Sequence, residues 1–323
     1  MLNIGILGAA RIAPAAIIEP ARRRGDTTIL AVASRSGKAA AYAETHGIAR
    51  VYDDYAALLA DPGIDIVYNA LPCSEHGPQT IAALEAGKHV LCEKPCAMRA
   101  GDARDMVAAA ERAGKLFVEA FHDRYHPVFL HALKAKQDGR FGAIRSLKAV
   151  FTAEISNRPG ELRYIWEMGG GALMDLGCYP LHWVRSFMQE EPEIVSASGT
   201  RAGTGVDEAI TAELRFGSGV SAQLSCDRGK GRQFAAEFAI EAENGTMTVK
   251  NPVLAHRGHS IIEELDGQKR EFTLAGGTTY DYQLEALVGA IGTGAPLPTG
   301  GADAIGNMAA IDAIYAAAGF PPR

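Results

Sequence analysis

Several things are scarce in this sequence, and each scarcity excludes something. Cysteine is the first: five residues (Cys73, Cys92, Cys96, Cys178, Cys226), an odd number, scattered and without C-x-x-C spacing. A disulfide framework and a zinc site are therefore not expected, no metal is assigned, and a reducing cytoplasmic setting fits. No apolar run approaches the length of a membrane span, and the first eight residues read as a strand entering a turn rather than a cationic leader. A surplus of positive charge is also missing. With 32 Lys and Arg against 38 Asp and Glu, the formal charge is −6, which gives no electrostatic case for nucleic acid or for an acidic membrane. There is no internal repeat and no low-complexity linker.

What remains is a chain of 323 residues, 47% hydrophobic, long enough for two domains. Up to about residue 120, short β-rich apolar runs (4–7, 28–33, 66–70, 89–92, 115–119) alternate with Ala-rich amphipathic stretches (12–24, 37–46, 55–60, 76–86, 101–113). Such alternation builds right-handed βαβ units on a doubly wound parallel sheet of the Rossmann type. Beyond Arg124 the rhythm changes. After a helix over 127–136, a strand over 143–155 and a helix over 170–188, strand-like runs follow one another directly (194–200, 209–216, 220–225, 234–242, 245–249, 260–264), with turn signals such as Glu243-Asn244-Gly245 between them. Two helices, 280–291 and 302–317, close the chain. The fold class expected is α/β: a dinucleotide-binding domain over 1–122 and, over 123–323, an α+β substrate and oligomerisation domain on a large, open, mostly antiparallel sheet.

Four segments carry chemistry. Gly8-Ala9-Ala10-Arg11-Ile12-Ala13 lies at the first strand-to-helix turn, where free backbone N–H groups favour a pyrophosphate. Ala10 and Ala13 stand where the strict glycine pattern has its second and third glycines, so the signal alone is weak. At the end of the second strand, where an NAD site places an acidic residue, the chain has Ser34-Arg35-Ser36 with Lys38 beyond. A hydroxyl and a guanidinium suit a 2'-phosphate, so NADP is favoured and NAD is second. Glu93-Lys94-Pro95 follows an apolar strand directly, which aims Lys94 at the ligand crevice of an open α/β sheet; a solvated turn lysine is the bland alternative. Finally, Gly170-Gly171 leads into Asp175, Tyr179 and His182 at i, i+4 and i+7, giving one helix face a carboxylate, a phenol and an imidazole. Pro180 predicts a break near Tyr179. Spacing alone slightly favours a core helix whose Tyr and His are simply satisfied by hydrogen bonds.

Together with Arg124 and Pro127, these segments resemble the Gfo/Idh/MocA oxidoreductases, and within them the branch of dimeric dihydrodiol dehydrogenases and NADP-dependent D-xylose dehydrogenases. The resemblance runs through the closing helices. It implies an NAD(P)-dependent dehydrogenase or reductase acting on a sugar or a trans-dihydrodiol, assembled as a dimer or tetramer. It assigns Lys94 as the catalytic lysine, Asp175 as an orienting residue and Tyr179 as the acid/base, where many relatives carry histidine. It places Gly8, Ala10, Arg11, Ile12, Ser34, Arg35, Lys38, Leu71, Pro72, His76, Glu93 and Lys94 against the cofactor, and His122, Trp166 and His182 with Asp175 in the substrate pocket. Half-ionising a tyrosine at neutral pH needs roughly 4 kcal/mol, about what one lysine cation ~4 Å away supplies at an effective dielectric near ~20. Two other readings on the same fold stay open: a non-catalytic dinucleotide sensor and an NAD-dependent glycosidase.

Overall fold

A computed structural model describes residues 1–323, which form two compact units: Met1–Phe121 with Tyr280–Met308, and His122–Thr279 with Ala309–Arg323. In the first unit β1 (Leu2–Leu7), β2 (Thr27–Ala33), β3 (Arg50–Tyr52), β4 (Ile66–Asn69), β5 (His89–Cys92) and β6 (Phe117–Glu119) form one sheet in the order β3-β2-β1-β4-β5-β6. Every pair in it is parallel. Its central strands are covered on both faces, which is why they read as unbroken apolar runs: Ile4, Ile6, Ile66, Val67, Val90 and Leu91 are all fully buried. The order reverses between β1 and β4, so the connections leaving their carboxyl ends diverge and open a crevice there.

Three features of this first unit differ from the sequence expectation, each for a physical reason. β3 is a short edge strand whose Arg50 and Val51 are exposed, so it has no alternation to read. The helix expected over 12–24 is a π-helical turn, Pro14–Ile18, running into a short α-helix, Glu19–Arg23. Pro20 has no N–H to continue a regular ladder, and the wider turn before it absorbs the interruption. The segment 280–308, assigned by sequence to the second domain, belongs to the first unit. Tyr280, Leu284 and Leu287 bury themselves in the same core as Ile4, Ile6 and Val32.

The second unit carries an eight-stranded sheet: β7 (Ile144–Thr152), β8 (Glu193–Arg201), β9 (Asp207–Arg215), β10 (Ser221–Asp227), β11 (Ala235–Ala242), β12 (Gly245–Lys250), β13 (Ser260–Leu265) and β14 (Gln268–Phe272). The order is β14-β13-β12-β11-β7-β10-β9-β8, antiparallel throughout except between β7 and β10. One face is covered by the helix Cys178–Met188, which packs on β7, β10 and β11 and is buried at every residue. β14 escaped the sequence reading because four of its five residues are exposed. Its hairpin signal was present: Asp266 and Gly267 both have positive φ in the turn from β13, as an Asp-Gly turn requires. All five cysteines are free thiols, and no helix is long and apolar enough to cross a membrane.

Candidate active site

The first unit builds its share of the site from backbone. Gly8 follows β1 with φ +94°, and its N–H donates to the Ala33 carbonyl at 2.8 Å. A Cβ there would lie 3.2 Å from both the Ala70 carbonyl oxygen and Leu71 Cδ2, so the β1 and β4 connections meet at a position that only glycine occupies without strain. Ala10 anchors the same turn by accepting from the Tyr42 hydroxyl at 3.0 Å. Burial pushes that phenol up to about 12 and keeps it neutral. Arg11 and Ile12 stand exposed beside it, whereas Ala13 is fully buried in the core. The methyl that replaces the third glycine therefore faces inward. This cradle of backbone groups fits a dinucleotide.

Beyond β2, Ser34 is buried and shares a 2.9 Å hydrogen bond with Ser36, while Lys38 is exposed. Arg35 lies over the Tyr55 ring, 4.3 Å from its centroid, and pairs with Asp54 at 3.2 Å with both side chains about half exposed. Such a half-exposed surface pair is weak.

Lys94 sits between pinned neighbours. Glu93 N–H donates to the Asn69 carbonyl at 2.9 Å, and its carboxylate accepts from the Tyr68 hydroxyl. Cys96 N–H donates to the Glu119 carboxylate at 2.9 Å. The Lys94-Pro95 peptide bond is cis. His76 joins this loop to the cofactor-side loop: its Nδ1 lies 2.9 Å from the Pro95 carbonyl and its Nε2 2.8 Å from the Leu71 carbonyl, next to Pro72. Burial holds that imidazole below its ordinary range against the pull of the two carbonyls, and a neutral ring donates to one of them at a time.

The second unit builds from side chains. The Gly170-Gly171 pair allows close packing: a Cβ on Gly170 would come within 2.6 Å of the Arg163 carbonyl oxygen, and one on Gly171, where φ is +137°, within 2.0 Å of an Asp207 oxygen. Asp207 is fully buried and accepts from Leu173 N–H at 2.6 Å and from the Tyr315 hydroxyl at 2.8 Å. The chain then makes a π-helical turn, Leu173–Gly177, before the helix Cys178–Met188, one turn ahead of Pro180. The break expected at Pro180 thus falls just before Tyr179, as a widened turn rather than a kink.

Asp175, at 17% side-chain exposure, pairs with Arg163 at 2.8 Å, and that carboxylate raises the arginine's pKa. Tyr179 is 5% exposed and packs beside the Phe151 and Trp183 rings. Its hydroxyl lies 3.2 Å from His122 Nε2, and His122 Nδ1 lies 2.8 Å from the Thr279 hydroxyl. His182 is fully buried with Nε2 3.1 Å from the Ser186 hydroxyl. Trp166 stacks with Phe320 and lies under Arg323, 3.7 Å from its ring centroid.

Of the residues singled out from sequence, Gly8, Leu71, His76 and the Lys94 loop come together in the first unit, and Tyr179 and His122 in the second. His182 and Trp166 are held by neighbours of their own. Sequence reasoning missed Tyr42, Asn69, Tyr68, Arg163, Asp207 and Thr279. Tyr68 and Asn69 carried a faint signal as polar groups ending an apolar strand, but Thr279, 157 residues from His122, carried none.

The glycine turn after β1 of a parallel sheet is the cradle of a dinucleotide-binding domain, and similarity to known proteins gives its family. The pattern described as oxidoreductase family, NAD-binding Rossmann fold (Gfo/Idh/MocA) matches residues 2–121, and that family's C-terminal domain matches residues 129–248. The chain belongs to the Gfo/Idh/MocA oxidoreductases. The NADP-dependent D-xylose 1-dehydrogenase 2 of Haloferax volcanii is 30% identical over 323 residues, covering 98% of this chain and 97% of that one. The trans-1,2-dihydrobenzene-1,2-diol dehydrogenase of Xenopus tropicalis is 35% identical over 202 residues, 62% of this chain and 61% of that one. Among solved structures, the 3-ketoreductase KijD10 of Actinomadura kijaniata in complex with NADP and TDP-benzene superposes with a TM-score of 0.89 at 27% identity, covering 98% and 97% of the two chains.

Proposed function

We propose that this chain is an NADP-dependent oxidoreductase that moves a hydride between the nicotinamide and a CH–OH carbon of a sugar or a trans-dihydrodiol. The observation that carries the reading is the bridge made by His76 between the Leu71 and Pro95 carbonyls. It ties the cofactor-side loop to the loop that presents Lys94, at the carboxyl edge of a parallel sheet. Relatives that act on D-xylose and on a dihydrodiol support the substrate class, and the NADP-bound 3-ketoreductase supports the cofactor. Arg35, with no acidic residue ending β2, supports NADP over NAD.

The nicotinamide, when bound, supplies hydride chemistry that no side chain offers. The residues do the rest. In the first unit Lys94 is the catalytic lysine of this reading; in the second, Tyr179 takes the substrate's hydroxyl proton in the oxidative direction and returns it in the reductive one, and Asp175 orients a substrate hydroxyl. The test is initial-rate nicotinamide absorbance with NADP and with NAD across aldoses, inositols and a trans-dihydrodiol. Turnover with NADP that both Lys94→Ala and Tyr179→Phe abolish is expected. Tight NADP binding with no turnover on any of them would favour a dinucleotide sensor, and glycoside cleavage with retained NAD would favour the glycosidase.

A further inference from the structure

We propose that His122 is a positioning residue that acts through Tyr179, accepting the phenolic proton as Tyr179 accepts the substrate's. The inference rests on the reading of Tyr179 as the acid/base and deepens it. Its basis is a three-membered line of buried polar groups within the second unit: the Tyr179 hydroxyl, 3.2 Å to His122 Nε2, then His122 Nδ1, 2.8 Å to the Thr279 hydroxyl. The three residues are 5%, 3% and 0% exposed.

A neutral imidazole carries one N–H, and a hydroxyl can either give or accept, so the line has two polarities. With the proton on Nδ1 donated to Thr279, Nε2 is a bare acceptor. The Tyr179 O–H then points at His122, and the phenolic oxygen can accept from a substrate hydroxyl. With the proton on Nε2, Tyr179 must accept from His122 instead. We assign the first polarity, because it lets the pair take up a proton without first making a phenolate. At neutral pH an unperturbed imidazole is mostly free base, whereas an unperturbed tyrosine is ionised to only about one part in a thousand. In the oxidative step the substrate O–H breaks and a new Tyr179 O–H forms. The original Tyr179 O–H breaks and an Nε2–H forms, and the hydride leaves to NADP as the carbonyl is made. Charge and atoms balance: one imidazolium and one reduced cofactor are produced, and reduction runs the same sequence backward. The line thereby takes up the substrate's proton without passing through a free phenolate.

Beside this line within the same unit, the His256 ring meets the Thr279 backbone, its Nδ1 accepting from Thr279 N–H at 3.5 Å. The Asp123 carboxylate accepts from the Trp183 indole at 2.5 Å and feels His182, and the Arg124 guanidinium lies over the Phe129 ring. Asp175 pairs with Arg163. Phe151 and Trp183, which flank Tyr179, are uncharged.

The experiment is ring ¹⁵N NMR of His122 in the full chain, assigned with His122→Gln, with Tyr179→Phe and Thr279→Val as partners. Nδ1 protonated and Nε2 bare in the wild type, with the Nε2 signal moved by Tyr179→Phe and the tautomer preference lost in Thr279→Val, is the expected result. A protonated Nε2 in the neutral ring would overturn the proposal, and so would spectra indifferent to both variants. Rates with NADP on D-xylose and on a trans-dihydrodiol add a second reading. His122→Gln keeps a hydrogen-bonding side chain but cannot take the proton, so it is expected to lower kcat about tenfold to a hundredfold near neutrality and to move the acid limb of the pH profile upward. An unmoved limb, with Tyr179→Phe inactive, overturns the role of His122 alone. An active Tyr179→Phe overturns the reading of Tyr179 itself.

Discussion

The two units prepare for chemistry in opposite ways. In the first, the candidate residues are set by backbone: a glycine at φ +94°, carbonyls gripped by His76, and a lysine between two pinned residues. In the second, they are set by side chains in series, Tyr179 to His122 to Thr279 and Asp175 to Arg163. A backbone cradle is little changed by side-chain replacement, which suits a cofactor shared between relatives. A side-chain network can be retuned by single substitutions, which suits a substrate that varies from one relative to another.

Substitutions can break this contrast or sharpen it. The largest effect is expected from the phenol: Tyr179→Phe should lower kcat about 10²–10⁴-fold with NADP affinity unchanged in fluorescence titration, because proton transfer is lost and the cradle is untouched. Gly171→Ala comes next. Its Cβ would fall 2.0 Å from an Asp207 oxygen at a φ of +137°, so denaturant unfolding should show a loss of about 3 kcal/mol or more, or no folded protein. Gly8→Ala, with nearest contacts of 3.2 Å, should fold and lose cofactor affinity instead, which is the sharper test of a backbone-built site. Arg35→Ala should reduce the preference for NADP over NAD by roughly tenfold to a hundredfold, measured as the ratio of kcat/KM values, since charge-assisted phosphate contacts are worth about 1.5–3 kcal/mol.

The smallest effect is on pH. Burial lowers His126 to about 4, while an unfolded histidine titrates near ~6.5. The unfolded chain therefore binds a proton first as the pH falls. The stability present above about 6.5 is lost progressively down to about 4, where the folded protein is protonated too. His126 caps the helix Pro127–Gln137 by accepting from Val128 N–H, so His126→Asn keeps a capping oxygen. The variant should show a flatter dependence of the urea midpoint on pH across that window.

How much could be read without the structure follows the same division. The parallel sheet was legible because its strands are buried on both faces and punctuated by glycine and proline, and the Lys94 loop because it ends such a strand. β3 and β14 were not, because exposed edge strands carry no hydrophobic period. The Gly170-Gly171 pair was visible as a motif, but its reason was not: close packing against the 163–165 backbone and against Asp207 is a fact of tertiary approach.

The sequence by itself determined the alternation that selects a Rossmann sheet, the glycine that the first turn requires, and the residue types able to bind a phosphate or move a proton. Those properties reside in single residues and their near neighbours. The tertiary structure decided that 280–308 returns to the first core, that His76 holds two loops together, and that Thr279 reaches His122 across 157 residues of chain. Such contacts depend on which surfaces bury together, and no local period or spacing records that choice.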